Sequence, residues 1–172
     1  MARLATVKDL RAISELCLPV QRLHAEIAPW LIKKPADDSE LRDWLSDELE
    51  SPDSLFLVVE YNDEVVGYLY AQEIKRDESW VRPQLHYLML SHISVSADFQ
   101  RNGFGHELMK NLFEEGRKRG ISRVDLEVWD FNQGAQKFFS NYGFESLSMR
   151  KTLNIEKESN QSCHTTPASA PR

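Results

Sequence analysis

Residues 95–108, VSADFQRNGFGHEL, hold the most chemically suggestive spacing in the chain. An apolar, β-compatible run ends at Val95, and a polar turn carries Gln100, Arg101, Asn102, Gly103, Phe104 and Gly105. A helix is expected from about Gly103, with His106 in its first turn. Two glycines let a backbone approach a ligand closely and adopt conformations that a Cβ would block. The first N–H groups of a helix have no intrahelical acceptor, and the helix dipole is positive at that end. Such a turn suits a phosphate or pyrophosphate. A plain glycine-bearing helix entry has the same outline, so a second motif must decide. A P-loop is excluded because no GK[ST] follows, and a GxGxxG fingerprint would need glycine where Leu108 stands.

The second motif lies downstream. Glu127-Val128-Trp129-Asp130-Phe131-Asn132 is followed by Ala135, Phe138-Phe139 and Asn141-Tyr142-Gly143-Phe144. Taken with Gln100-x-x-Gly103-x-Gly105, this order resembles the GNAT superfamily of acyl-CoA-dependent N-acetyltransferases, over about residues 3–153. The resemblance implies a mixed α/β fold: a mostly antiparallel twisted sheet flanked by helices, with a splayed strand pair holding acetyl-CoA. It implies that Ile93, Ser94 and Val95 offer backbone groups to the pantetheine arm. Gln100 to Gly105, with His106, would wrap the pyrophosphate. Asn132 matches the family's asparagine at the cofactor arm, with Ala135, Phe138 and Phe139 beside it. Asn132 also reads as an ordinary helix N-cap, and Phe138 as a core aromatic.

The implied chemistry is direct attack of a primary amine on the thioester in a ternary complex, with no covalent enzyme intermediate and no metal. A lysine of pKa near 10.4 is neutral in about one molecule in 2,500 at pH 7, an α-amino group near 8 in roughly one in ten. A base therefore matters more for lysine-like acceptors. Similarity to ribosomal-protein N-terminal acetyltransferases makes Glu127, in Leu126-Glu127-Val128, the base candidate. An exposed strand carboxylate is the competing reading. Val95 N–H is the expected donor to the developing oxyanion. One departure stands out. The family often places a tyrosine at the second aromatic to protonate the leaving thiolate, and here that residue is Phe139. Tyr142 lies three residues on and is the substitute candidate, although it also fits a core aromatic beside Phe144. His86, His92 and Glu73 are reserves without a motif.

The elements that position these residues follow from periodicity. A short strand at 3–5 leads through Thr6, with Asp9 as a capping-box partner, into a helix carrying Leu10, Ile13, Leu16 and Cys17. Residues 19–35 contain three prolines and are expected to be broken helix and loop. A second helix, capped at Asp38 or Ser39, turns Leu41, Trp44, Leu45 and Leu49 to one face. LFLVVEY, Asn62-Asp63 and EVVGYLYAQ spell a tight hairpin. A loop at 75–82, a long strand at 85–95, a helix at 103–119 stopped by Gly120 and a strand at 123–129 follow. A helix at 133–141 ended by Gly143 and a last strand within 144–153 complete the pattern.

With 172 residues, 41% hydrophobic and 28% charged, the chain fits one domain at 1–153 and a polar, disordered tail at 154–172. A net charge of −6 disfavours general nucleic-acid binding and mildly favours cationic amines. No apolar run reaches the ~20 residues of a membrane span. Two distant cysteines, Cys17 and Cys163, with no CxxC pair, suggest a reduced, cytoplasmic protein without zinc. The acceptor pocket is expected from residues 21–35 and 75–82, which select no particular amine. A homodimer through a sheet or helix face stays open. The alternative to an enzyme is a CoA-binding regulatory or interaction domain without turnover, for which Phe139 is the best support.

Overall fold

The computed structural model describes residues 1–34 and 38–155. The chain forms two compact units, Met1–Glu127 and the residues from Val128 on.

The first unit is built on a five-stranded sheet in the order β1-β2-β3-β4-β5. Its strands are β1 (Ala2–Leu4), β2 (Ser54–Tyr61), β3 (Glu64–Arg76), β4 (Leu85–Val95) and β5 (Val124–Leu126). All neighbours pair antiparallel except β4 and β5, which run parallel. The β2–β3 hairpin turns on Asn62 and Asp63 with φ of 50° and 64°. Positive φ at both central residues matches the right-handed strand twist and suits Asn and Asp, which tolerate that region.

Helices α1 (Leu10–Ile27) and α2 (Asp38–Glu50) share one face of the sheet. Ile13 and Cys17 of α1 and Leu41 and Leu45 of α2 pack with Phe56, Val58, Tyr68 and Tyr70. Helix α3 (Phe104–Lys118) buries Leu108, Met109 and Leu112 and contacts β2, β3 and β4. On that helix a Cβ at Gly116 would sit 3.3 Å from Leu88 Cδ1, which keeps α3 close to β4.

Entry to α1 runs through the expected capping box: Asp9 Oδ2 accepts the Thr6 N–H at 2.8 Å. Arg3 of β1 clamps the same carboxylate with two bonds of 2.8 Å and also reaches Glu60. These contacts hold Asp9 down at a pKa of about 2, chiefly through Arg3.

Four sequence expectations change. Helix α1 continues through Pro19 to Ile27, where broken helix was expected. Pro19 is exposed, so its missing donor and displaced carbonyl face solvent, while Ile13, Cys17 and Ala25 hold the helix down from the core side. Strand β3 extends to Arg76, into the expected loop. Glu73 fastens that end: its carboxylate meets Lys75 Nζ at 2.7 Å, His86 Nε2 at 2.9 Å and Arg119 Nη1 at 3.2 Å. These hydrogen bonds lower it to about 2, that from Lys75 first. Strand β5 is three residues rather than seven. No strand forms within 144–153: Leu147, Met149 and Leu153 alternate as a strand would, yet 69–77% of each is exposed and no ladder partner meets them among the described residues.

In the second unit, α4 (Gln133–Ser140) starts at Asn132 and closes with Gly143 at φ 83°. The expected tail lies outside the described residues from 156 on, Cys163 included.

Candidate active site

One inserted residue shapes the centre of the first unit. Across β3 and β4, Tyr70 pairs with His92 but Ala71 pairs with Leu90, so Ser91 is a β-bulge in β4. Before it, Leu88 N–H bonds to the Arg123 carbonyl at 3.0 Å, which aims the backbone of Leu88 and Leu90 at β5. After it, Ser96 N–H bonds to the Val66 carbonyl at 2.9 Å. By strand alternation Ser94 then faces β3, while Ile93 and Val95 face the outer edge. The bulge switches parity, and this is why the parallel ladder cannot continue. Pairing stops at Leu90 with Leu126, although β4 runs on to Val95. Ile93 and Val95 are left with outward-facing N–H and C=O groups and no strand partner on that side among the described residues.

At the end of this open edge lies the glycine turn. Gln100 Nε2 donates to the Val95 carbonyl at 3.1 Å, and Asn102 Nδ2 to the Gln100 carbonyl at 3.2 Å. Arg101 and Gly103 both take positive φ, 62° and 89°. Gly103 is the N-cap of α3, and its carbonyl accepts the Glu107 N–H at 3.0 Å. The N–H groups of Phe104, Gly105 and His106 precede the first intrahelical bond and form the positive end of the helix. Three rings staple the turn: Tyr61 lies 5.7 Å from Phe99 and 5.9 Å from Phe104, and Phe99 lies 6.2 Å from Phe104. Glu107, an acid in the first helical turn, bonds the Ala2 N–H at 2.5 Å and is thus occupied by β1.

Glu127 follows β5 directly and, continuing the register, stands level with Ser91, where β4 and β5 part. It is exposed, and no described residue bonds to it. Ser94, expected to offer backbone groups to the arm, instead turns its backbone to β3 and donates its hydroxyl to the Leu16 carbonyl at 3.4 Å. His92 points to the α1–α2 side, among Tyr68, Gln21 and Cys17. Burial lowers its pKa to about 4, so the imidazole is neutral at pH 7. His86 belongs to the Glu73 ion cluster. Neither histidine is a free base.

The second unit gathers the other expected residues. Asn132 Oδ1 accepts the Ala135 N–H at 3.0 Å, so the asparagine is the N-cap of α4. The ring of Phe138 lies 5.4 Å from those of Phe139 and Tyr142, and Phe139 lies 5.7 Å from Phe144. Phe139 is only 7% exposed. Tyr142 is half-buried, and burial raises its hydroxyl above the usual value. Among the described residues no cluster of three or more His, Cys, Asp or Glu could hold a metal ion. None of the described helices is long and apolar enough to cross a membrane. Sequence patterns missed the ring staple and the bulge. The aromatics at 61, 99 and 104 are far apart in sequence, and an extra strand residue leaves no compositional mark.

A sequence model of the acetyltransferase (GNAT) family matches residues 17–144. The chain belongs to that family. It is 30% identical over 106 residues to an uncharacterized N-acetyltransferase from Lactobacillus delbrueckii subsp. lactis, covering 62% of this chain and 60% of that one. It is 36% identical over 62 residues to the ribosomal protein bS18-alanine N-acetyltransferase of Escherichia coli, covering 36% of this chain and 42% of that enzyme. The chain therefore spans three fifths or less of the length of these two curated relatives. Its fold matches a mutant of the BH1408 protein from Bacillus halodurans, with a TM-score of 0.80, 18% identity and coverage of 90% and 99%. It also matches a predicted acetyltransferase with acetyl-CoA from Clostridium acetobutylicum, with a TM-score of 0.63, 17% identity and coverage of 91% and 96%.

Proposed function

We infer that the protein transfers an acetyl group from acetyl-CoA to a primary amine, by direct attack in a ternary complex. The observation that carries this reading is the open edge of β4 running into the Gly103 turn within a GNAT sheet. Ile93 and Val95 present outward backbone groups to an amide-bearing arm, and the N-terminus of α3 presents N–H groups to a pyrophosphate. Acetyl-CoA carries both features and supplies the activated acyl group. Val95 N–H would stabilise the oxyanion, and Glu127, beside the parting strands, would take the amine proton.

Among amines, an α-amino terminus fits best. The curated relative named as a ribosomal protein bS18-alanine N-acetyltransferase supports it, and an α-amine needs least help to lose its proton. The leaving thiolate, with pKa near 8.5, departs without strong assistance, which accommodates Phe139 at the usual tyrosine position. Buried, free Cys17 accords with a reducing, cytoplasmic setting.

The test is calorimetric titration of acetyl-CoA followed by thiol release on a panel of N-terminal peptides, lysine peptides and small amines. Binding with release on the peptides is expected. Binding without release on any acceptor would favour a CoA-binding domain without turnover. Gly103→Asp sets a side chain at φ 89° and a negative charge against the pyrophosphate position, and should abolish binding. Retained affinity would remove the phosphate cradle.

A further inference from the structure

Beneath the open edge of β4 lies a buried polar cluster that the reaction as outlined does not use. His92 Nδ1 lies 3.3 Å from Tyr68 Oη of β3 and 3.9 Å from Cys17 Sγ of α1. Its Nε2 lies 3.3 Å from the Gln21 side-chain amide, one turn further along α1. The rings of Trp44 and Tyr70 close over it, each 5.7 Å from the imidazole. Both ring nitrogens are therefore engaged by protein, and no lone pair is left to take a proton from substrate. A second tie runs in parallel, from the Ser94 hydroxyl to the Leu16 carbonyl. Leu16, Cys17 and Gln21 thus grip β4 on either side of Ile93 from one stretch of α1.

We propose that His92 is a positioning residue: its neutral ring locks the Ile93–Val95 edge of β4 to helix α1, fixing the backbone groups that receive the acyl-CoA arm. The inference rests on the acetyl-CoA reading above. A bulge breaks the ladder and leaves the following residues paired on one side only. The helix supplies the constraint that the missing strand would have given. Neutrality is part of the device, because a doubly protonated ring would face the Tyr68 hydroxyl, the Cys17 thiol and the Gln21 amide, with no described carboxylate bonded to it. His24, further along α1, adds an unfavourable charge of the same sign.

The experiment compares His92→Phe, His92→Asn and Gln21→Ala with wild type, at temperatures where each is shown folded by circular dichroism. His92→Phe keeps a ring in the packing and removes both nitrogens. It should weaken acetyl-CoA binding about tenfold, the net worth of one hydrogen bond. Gln21→Ala should lose several-fold on its own and add little to His92→Phe, since both break the same tie. His92→Asn keeps a polar group near the Nδ1 position and should recover part of the loss. The pH–rate profile should keep its shape in all three, and imidazole ¹⁵N shifts in wild type should show His92 neutral down to pH 5.5. Unchanged affinity in His92→Phe, additive losses, or a profile that loses its acidic limb would each overturn the proposal. Failure of wild type to bind acetyl-CoA would overturn it together with the family-based reading. Binding by wild type with indifferent variants would overturn the positioning role alone.

Discussion

Gly67→Ala is the most direct probe of how β3 supports the site. Gly67 is buried in β3 and pairs with Val95. A Cβ there would lie 3.0 Å from the Ser94 carbonyl oxygen and 3.1 Å from both Val59 Cγ1 and Val95 Cγ2. The valine methyls can yield by small rotations, but a backbone oxygen in a ladder cannot, so β4 must move by a few tenths of an ångström. Two effects oppose each other. Replacing a strand glycine restores about 0.5–1 kcal/mol of backbone entropy. Overpacking a close contact costs about 1–3 kcal/mol. The clash should win, leaving a net loss of about 1–2 kcal/mol and lowering the melting temperature by about 2–8 °C for a domain of this size. The shift falls on Ser94 and Val95, so acetyl-CoA affinity should drop several-fold at temperatures where the variant is fully folded. Thermal unfolding and calorimetric titration on one preparation read both effects. A variant that melts at or above the wild-type temperature and binds equally well would refute the argument that β3 sets the position of the open edge.

Glu127→Gln should lower turnover roughly 10²-fold at pH 7 and recover as rising pH deprotonates the amine; an unchanged pH–rate profile removes Glu127 as base. Phe139→Tyr adds a hydroxyl at a position 7% exposed against Phe138 and Phe144, and should cost about 1–3 kcal/mol of stability without raising turnover. A gain in rate would mean that this position does reach the leaving thiolate. Asp9, held at about 2 against an ordinary 3.8, contributes stability that is fully present above pH 4 and lost as pH falls towards 2. Asp9→Asn should remove on the order of 2 kcal/mol at pH 7 and flatten part of the acid slope in urea titrations between pH 4 and 2. Glu73 titrates in the same window and keeps the remainder.

The elements legible in the sequence were those with local causes. Asn62-Asp63 marks its hairpin because those residues accept positive φ, and Gly120 and Gly143 mark helix ends for the same reason. The β4 boundaries and the turn at Gly103 follow from composition and from glycine chemistry. What escaped depends on remote partners. Proline rules count local bonds and cannot weigh the core contacts that carry α1 past Pro19. The pattern at 123–129 alternates charged and apolar residues as a strand would, yet the ladder ends where the bulge in the neighbouring strand turns its backbone away. Alternation at 147, 149 and 153 states a capacity to pair, and a strand exists only where a partner is met. His92 belongs to no sequence motif; a three-dimensional cluster defines it.

The inserted Ser91 has a consequence for how this segment can vary. Everything in β4 beyond it is read in a shifted frame: which side chains meet α1, which meet α3, and which carbonyls and amides look outward. Substituting Ser91 leaves that frame intact, because the bulge needs an extra backbone unit rather than a particular side chain. Deleting it would join Leu90 directly to His92 and make the ladder with β3 regular, leaving His92 opposite Tyr70 but removing the break at which β4 parts from β5. The length of this strand is therefore constrained more tightly than its composition.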